Sequence, residues 1–141
     1  MPDATNQVLE FDLGDETYCV SIEYVTEIVD VGDLTSVPNS APHVEGVMDL
    51  RGRTTSIINP KVVFDIEETG EPARIIVFDP EITDDDQAAG WLVDEVYQVS
   101  QVDPENVDES PTDEDVRSIR GIVKRDGAFM IWVNPEAIRT S

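Results

Sequence analysis

Apolar and polar residues alternate along most of the chain. Leu9, Phe11 and Leu13 are separated by Glu10 and Asp12, the period of a strand with one buried face. Gly14-Asp15-Glu16 supplies a turn, and Tyr18, Val20 and Ile22 resume the alternation, so the two runs predict a hairpin. From Ser21 the period changes. Ser21 is suited to cap a short helix, and Ile22, Val25, Ile28 and Val29 follow helical spacing. A loop over 37–42 carries two prolines. Strands are predicted at about 44–50 and 54–59, joined around Arg51-Gly52. Asn59-Pro60 ends the second, with one helical turn expected over 61–64. Later strands are predicted over 74–78, 91–96, 99–102, 119–124 and 128–133, with acidic loops at 81–87 and 103–115. Asp126-Gly127 is a type I′ turn signal. Many short strands punctuated by turns predict an all-β sandwich or a pair of barrels.

One stretch of this pattern occurs twice. VEGVMDLRGRTTSIINP (44–60) aligns without a gap to IRGIVKRDGAFMIWVNP (119–135). Gly46 falls on Gly121, Gly52 on Gly127, Asn59 on Asn134 and Pro60 on Pro135, each pair 75 positions apart (121−46, 134−59). Val44, Val47, Ile57 and Ile58 fall on Ile119, Ile122, Trp132 and Val133. A constant offset with a shared strand-ending Asn-Pro predicts two similar β subdomains, and a groove between subdomains favours binding. The turns differ in one respect: Arg51 precedes Gly52, whereas Asp126 precedes Gly127.

The 141 residues suit one domain. The longest apolar runs, such as 75–78, fall far short of the about 20 residues of a membrane helix. The first residues carry neither the positive flank nor the apolar run of a signal peptide, so a soluble, cytoplasmic chain is expected. Thirty-one acids against nine bases give a formal charge of -22. Such a surface repels nucleic acid phosphates and anionic lipid, so neither nucleic acid binding nor membrane insertion is expected. A carboxylate-rich chain with two lysines, Lys61 and Lys124, suits a cytoplasm rich in salt.

Catalytic chemistry finds little to work with. Cys19 and His43 are each the sole residue of their type. They exclude an intramolecular disulfide, a cysteine cage and a histidine-rich metal site. Cys19 is expected to pack as a reduced thiol, and His43, after Pro42, to serve a turn. Asp84-Asp85-Asp86 lacks the spaced acidic ladder and central glycine of a calcium loop. No serine sits in a nucleophile elbow and no glycine-rich loop could cradle phosphate. No enzyme activity, cofactor or metal is expected. Trp91 and Trp132 fall in strand patterns and are expected in the core. The scarce cations are more telling. Arg51, Arg53 and Lys61 lie in the first repeat, and Arg117, Arg120, Lys124 and Arg125 in or just before the second. Guanidinium groups at hairpin turns suit directional pairing with an acidic partner.

These residues resemble the CheW family of chemotaxis coupling proteins. The likeness runs from about residue 7 to 138 through FDLGDETYCVSI (11–22), EYVTEIV (23–29), VPNSAPHVEGVMDLRG (37–52), GWLVDEV (90–96) and IRGIVKRDGAFMIWV (119–133). The most specific piece is GVMDLRG following VPNSAP. The resemblance implies an all-β fold with short helices, built as two intertwined five-stranded SH3-like barrels. Together they would form a single domain over 1–141, divided at approximately 8–72 and 73–141, with strands open to exchange. It implies a non-catalytic adaptor, associated with membrane receptor arrays, that joins the histidine kinase CheA to chemoreceptors. The kinase's regulatory domain would meet the first barrel, and the receptor's cytoplasmic tip the groove. Carried over position by position, Arg51 matches the arginine of the family's Leu-Arg-Gly, and Val25, Glu27 and Ile28 match a short helix beside the groove. Val99 matches an apolar groove position, and Gly46 and Gly52 match glycines of the turn region. Asp49, Ser56, Thr54 and Thr55 depart from the family's habits around that turn.

Two other functional classes fit the same residues: an adaptor of a different receptor–kinase array, and an acidic inhibitor or decoy that binds a basic partner. The charge generates a prediction independent of all three. The Debye length is about 10 Å at 0.1 M salt and about 3 Å at 1 M, so added KCl should screen the repulsion within the fold. Thermal midpoints are expected to rise across that range, and a flat series would remove the salt-adaptation reading.

Overall fold

The structure is a computed structural model and describes residues 6–64, 66–67, 71–79, 88–108, 119–125 and 127–134. The acidic stretch 81–87, with Asp84–Asp86, and position 126 lie outside these residues, as does the later part of the second acidic loop.

The alternating N-terminal runs form a hairpin, β1 (Gln7–Leu13) and β2 (Glu16–Ser21). A 3₁₀ turn over Ile22–Tyr24 leads directly into β3 (Val25–Asp30). The helix expected beyond Ser21 is therefore a single short turn. Ser21 makes no side-chain cap bond there, and its hydroxyl oxygen accepts from Trp132 Nε1 at 3.2 Å instead. Val25, Thr26, Ile28 and Val29 are β-branched and favour the pleated surface offered by a neighbouring strand, which outweighs the helical spacing.

The first repeat forms β4 (Val44–Leu50) and β5 (Arg53–Ile58), followed by a helical turn α1 (Pro60–Val63). Asn59 caps it by accepting from the Lys61 backbone N–H at 3.0 Å, with Pro60 at the first helical position. Then come β6 (Arg74–Phe78), β7 (Ala88–Val93), β8 (Glu95–Gln101), the two-residue β9 (Val107–Asp108), β10 (Ile119–Arg125) and β11 (Ala128–Val133). The break between β7 and β8 falls at Asp94, earlier than the residue pattern predicts, because Asp94 turns inward to an ion pair.

Two sheets result, ordered β8-β1-β2-β11-β10-β9 and β3-β6-β7-β5-β4. The fold is all-β with short helical turns; the six-stranded sheet exceeds the expected five through the brief β9. Neither ladder closes on itself among the described residues. An isolated Thr35–Val47 bridge gives the five-stranded sheet a counterpart of β9. β6 and β7, beyond residue 72, pair with β3 and β5. The N-terminal hairpin leaves β3–β7 and joins the later strands, through a parallel ladder of β2 on β11.

The sequence repeat is a repeat of register. In β4–β5, Val44 faces Ile58, Gly46 faces Ile57 across a bulge, and Leu50 faces Arg53. In β10–β11, Ile119 faces Val133, Gly121 faces Trp132 across a bulge, and Arg125 faces Ala128. Every pair is displaced by 75 (119−44, 133−58). The correspondence continues outward. β5 pairs in parallel with β7 as β11 does with β2, and β6 and β3 then correspond to β1 and β8.

The central strands bury both faces. Leu9, Val20, Val133, Ile58, Ile76 and Trp91 point into a layer shared by the two sheets. Their neighbours Val8, Cys19 and Trp132 fill a core within the six-stranded sheet, and Ile57, Ile75 and Leu92 one within the other. Trp91 anchors the shared layer, edge-on to Phe78 at 5.0 Å and to Phe11 at 6.3 Å between centroids. At the margin of that layer Lys61 is 1% exposed and donates to Asp94 Oδ1 at 2.9 Å. The other Asp94 oxygen accepts from the Gly14 N–H at 2.7 Å. One ion pair thus ties α1, the β7–β8 corner and the β1–β2 turn.

Breaking a buried pair strands a charge and costs about 3–5 kcal/mol. Lys61→Met is expected to lose that much in denaturant unfolding at fixed salt. Lys61→Met with Asp94→Asn should recover part of it, and a Lys61→Met variant as stable as the parent would show that the pair supports nothing.

Candidate partner-binding surface

β3 is an edge strand of the five-stranded sheet, and its single bulge lies between Val25 and Glu27. Val25 faces Phe78 and is half-buried against the shared core. Glu27 faces Val77, and Ile28 faces Ile76 on the adjoining strand. Ile28 is exposed, although it is a large aliphatic residue.

The β4–β5 turn is held by two residues in the left-handed region, Arg51 with φ 56° and Gly52 with φ 81°. That is the type I′ signature, which glycine, asparagine and aspartate adopt readily and arginine does not. A Cβ on Gly52 would meet nothing within 4 Å, so its requirement is conformational. Gly46 differs. A Cβ there would lie 2.4 Å from the Thr35 carbonyl oxygen. Glycine lets the chain after β3 bridge to β4.

The turn brings Arg51 back toward β3. Arg51 Nη2 lies 3.2 Å from Glu27 Oε1, with the arginine side chain 82% exposed and the glutamate 27%. Arg74 pairs likewise with Asp30 at the far end of β3. Arg51, Gly52 and Glu27 thus belong to one corner of the five-stranded sheet, with Val25 and Ile28 along its edge strand, whereas Gly46 lies toward the other end of the β4–β5 hairpin, beside Thr35. Val99 lies on the other sheet, on edge strand β8. There it faces Leu9, as Ile28 faces Ile76. Val99 and Ile28 are therefore counterparts in the duplicated fold, and both are exposed aliphatics.

Residue-level reading missed two features of this corner. One is the Arg51–Glu27 pair, whose members are 24 positions apart (51−27). The other is a cleft of about 250 Å³ beside it, lined by Thr26, Glu27, Arg53, Val77, Phe78 and Asp79 among others. No residue type or spacing marks that cleft. It is assembled by residues of β3 and β6 together with Leu50, Arg53, Thr55 and Ala88 from β4, β5 and β7.

The CheW-like domain family profile matches residues 7–141. The chain is similar to the chemotaxis protein CheW of Thermotoga maritima, 26% identical over 133 residues covering 94% of this chain and 86% of that one. It is similar to the chemotaxis protein CheW of Bacillus subtilis, 28% identical over 138 residues, covering 94% and 85%. The Helicobacter pylori chemotaxis protein CheW is 31% identical over 107 residues, covering 74% of this chain and 62% of its own. Among solved structures, the scaffolding protein TtCheW from Thermoanaerobacter tengcongensis superposes with a TM-score of 0.80 at 28% identity, covering 95% and 90%.

A left-handed backbone costs an L-residue roughly 1–2 kcal/mol, and an exposed ion pair returns about 0–1 kcal/mol. Arg51→Asn relieves the first and forfeits the second. It is expected to leave stability unchanged or to raise it by up to about 1 kcal/mol, measured by denaturant unfolding. A marked loss would mean that the turn relies on the pair with Glu27.

Proposed function

The chain belongs to the CheW-like domain family, and we propose on that footing that it couples chemoreceptors to the histidine kinase CheA as a non-catalytic adaptor. The observation that carries the partner assignment is the state of Arg51. The fold would prefer another residue at that φ, yet a guanidinium is held there, four-fifths exposed, in a chain with few cations. Strain kept at an exposed position is a mark of function.

Arg51 with Glu27 forms the charged part of the contact with the kinase's regulatory domain or the receptor tip. Ile28 and Val99 supply exposed apolar contacts, and Val25 supports the edge strand from beneath. Gly46 and Gly52 act through the backbone, one by close approach and one by conformation. Docked in this way, the chain would sit at the cytoplasmic face of a receptor array.

Reconstitution with a cognate receptor and kinase tests the reading. Kinase autophosphorylation is expected to exceed that of receptor and kinase alone, and equal rates would overturn the coupling role. A charge-assisted hydrogen bond is worth about 1.5–3 kcal/mol, so Arg51→Ala should weaken partner binding roughly 10- to 150-fold. Arg51→Ala binding both partners like the parent would remove Arg51 from the site.

A further inference from the structure

The duplicated fold shows what the cleft beside Glu27 can hold. Matching β3–β6 to β8–β1 places Val25 on Val96 and Ile28 on Val99, both 71 apart (96−25, 99−28). The two residues between them then match in order, so Thr26 corresponds to Tyr97, each within its strand's bulged segment. Phe78 corresponds to Phe11, and the next residue, Asp79, to Asp12. Ala88 corresponds to Thr17, because Phe78 faces Ala89 as Phe11 faces Tyr18.

In the six-stranded sheet this place is spanned from within by a half-exposed side chain. Tyr97 reaches from β8 to β1 and donates its hydroxyl to Asp12 Oδ2. Thr17 donates to the other oxygen of Asp12 at 3.0 Å. The bond to Asp12 pushes the Tyr97 phenol up to about 12, as expected for a proton held by a carboxylate. In the five-stranded sheet the aromatic ring is replaced by Thr26, whose hydroxyl turns to the Val77 carbonyl at 3.2 Å. Thr17 is replaced by Ala88. Both ring and second hydroxyl are absent, and a cleft of about 250 Å³ stands between Thr26 and Asp79. That is below the about 300–1,000 Å³ of sites for drug-sized ligands and suits a single side chain. Its floor is apolar (Val77, Phe78, Ala88) and its rim carries Asp79, Glu27 and Arg53. Asp79 has contacts of its own, but an ionised carboxylate offers about four lone-pair sites and takes a further donor.

We propose that the cleft between Thr26 and Asp79 is a socket for a tyrosine side chain presented by a partner protein, its ring on Val77 and Phe78 and its hydroxyl donating to Asp79. The socket reproduces between two proteins the contact that Tyr97 and Asp12 make within this one. It adds to the Arg51 corner a pocket that selects for an aromatic ring bearing a donor.

The probe is N-acetyltyrosine amide, with N-acetylphenylalanine amide as the ring without the hydroxyl. Amide resonances of the nitrogen-labelled full chain are followed at a salt concentration that keeps it folded. The tyrosine probe is expected to shift Thr26, Val77, Phe78 and Asp79 saturably, and the phenylalanine probe to bind at least about tenfold more weakly. Thr26→Tyr fills the socket from within and should abolish the response. Asp79→Asn should weaken it several-fold, which keeps the idea open to refutation if Thr26→Tyr does not fold. Tyr97→Thr should create a second responsive site around Asp12. No saturable shift at these residues, a response that survives Thr26→Tyr, or equal binding of the two probes would each overturn the proposal. Neither kinase nor receptor is present, so such a failure would leave the adaptor role untouched.

Discussion

The parallel ladder between β2 and β11 is the constraint on which the rest of the structure depends. Tyr18, Cys19 and Val20 pair with Ile131, Trp132 and Val133, more than a hundred residues away along the chain. Without that ladder, β10–β11 would present an open edge, and the N-terminal hairpin would have only β8 beside it. Once the ladder forms, the six-stranded sheet acquires a second apolar face, and that face becomes half of the layer shared with β3–β7. Contacts of such sequence separation cost loop-closure entropy before they return stability, which makes this a slow-folding topology. Among the described residues three apolar clusters result, in which the shared one holds the aromatic residues Phe11, Tyr18, Phe78 and Trp91.

Charge is distributed to suit that arrangement. In a chain of net charge -22, one of the two lysines is fully buried and spent on Asp94. A buried ion pair gains little net energy against its desolvation. Its contribution here is geometric. It fixes where α1, the first turn and the β7–β8 corner meet, at the margin of the shared core, and an apolar contact would not specify that meeting so narrowly. Arg51 and Arg74 go to the edge strand β3, opposite Glu27 and Asp30. Exposed edges invite unwanted pairing, and charged side chains are a common protection against it. The same arginine therefore charges an edge and remains four-fifths exposed.

The duplication was legible in the sequence because the hairpin that carries it is rich in backbone requirements. Gly46 and Gly121 both allow a neighbouring chain to approach, the first at Thr35 and the second at Asp108. A side chain is excluded at both, so the residue type survives where packing residues drift. For the positions that the resemblance assigns to a partner contact, the sequence supplies residue numbers but not their arrangement. β3 reads as a helix because the i, i+3 spacing of Val25 and Ile28 mimics one, while an edge strand with a bulge spoils strict alternation. The strain at Arg51 and its reach to Glu27 are properties of dihedral angles and register, neither of which a string of letters displays. The equivalence of Thr26 and Tyr97 was hidden further, because the offset changes from 75 to 71 between hairpin and edge strand.

Where the two halves have remained alike and where they have parted follows a physical division. Positions answering to the backbone are shared: the bulges, the close-approach glycines, and Gly52 and Gly127 at φ 81°. So are positions answering to the common core, where Ile58 matches Val133 and Phe78 matches Phe11. The divergent positions cluster at one corner of each sheet. There Thr26 stands against Tyr97 and Ala88 against Thr17, and in the sequence Arg51 falls on Asp126. The six-stranded sheet satisfies its corner internally, tyrosine to aspartate, and the five-stranded sheet keeps a cleft and an exposed guanidinium. The residues that differ, Thr26 and Tyr97, Ala88 and Thr17, are not members of the shared layer, although Val25, Phe78 and Phe11 beside them are, so these positions can differ while the duplicated core is kept. One half thus completes its corner with its own side chains, while the other leaves a cleft beside an exposed guanidinium.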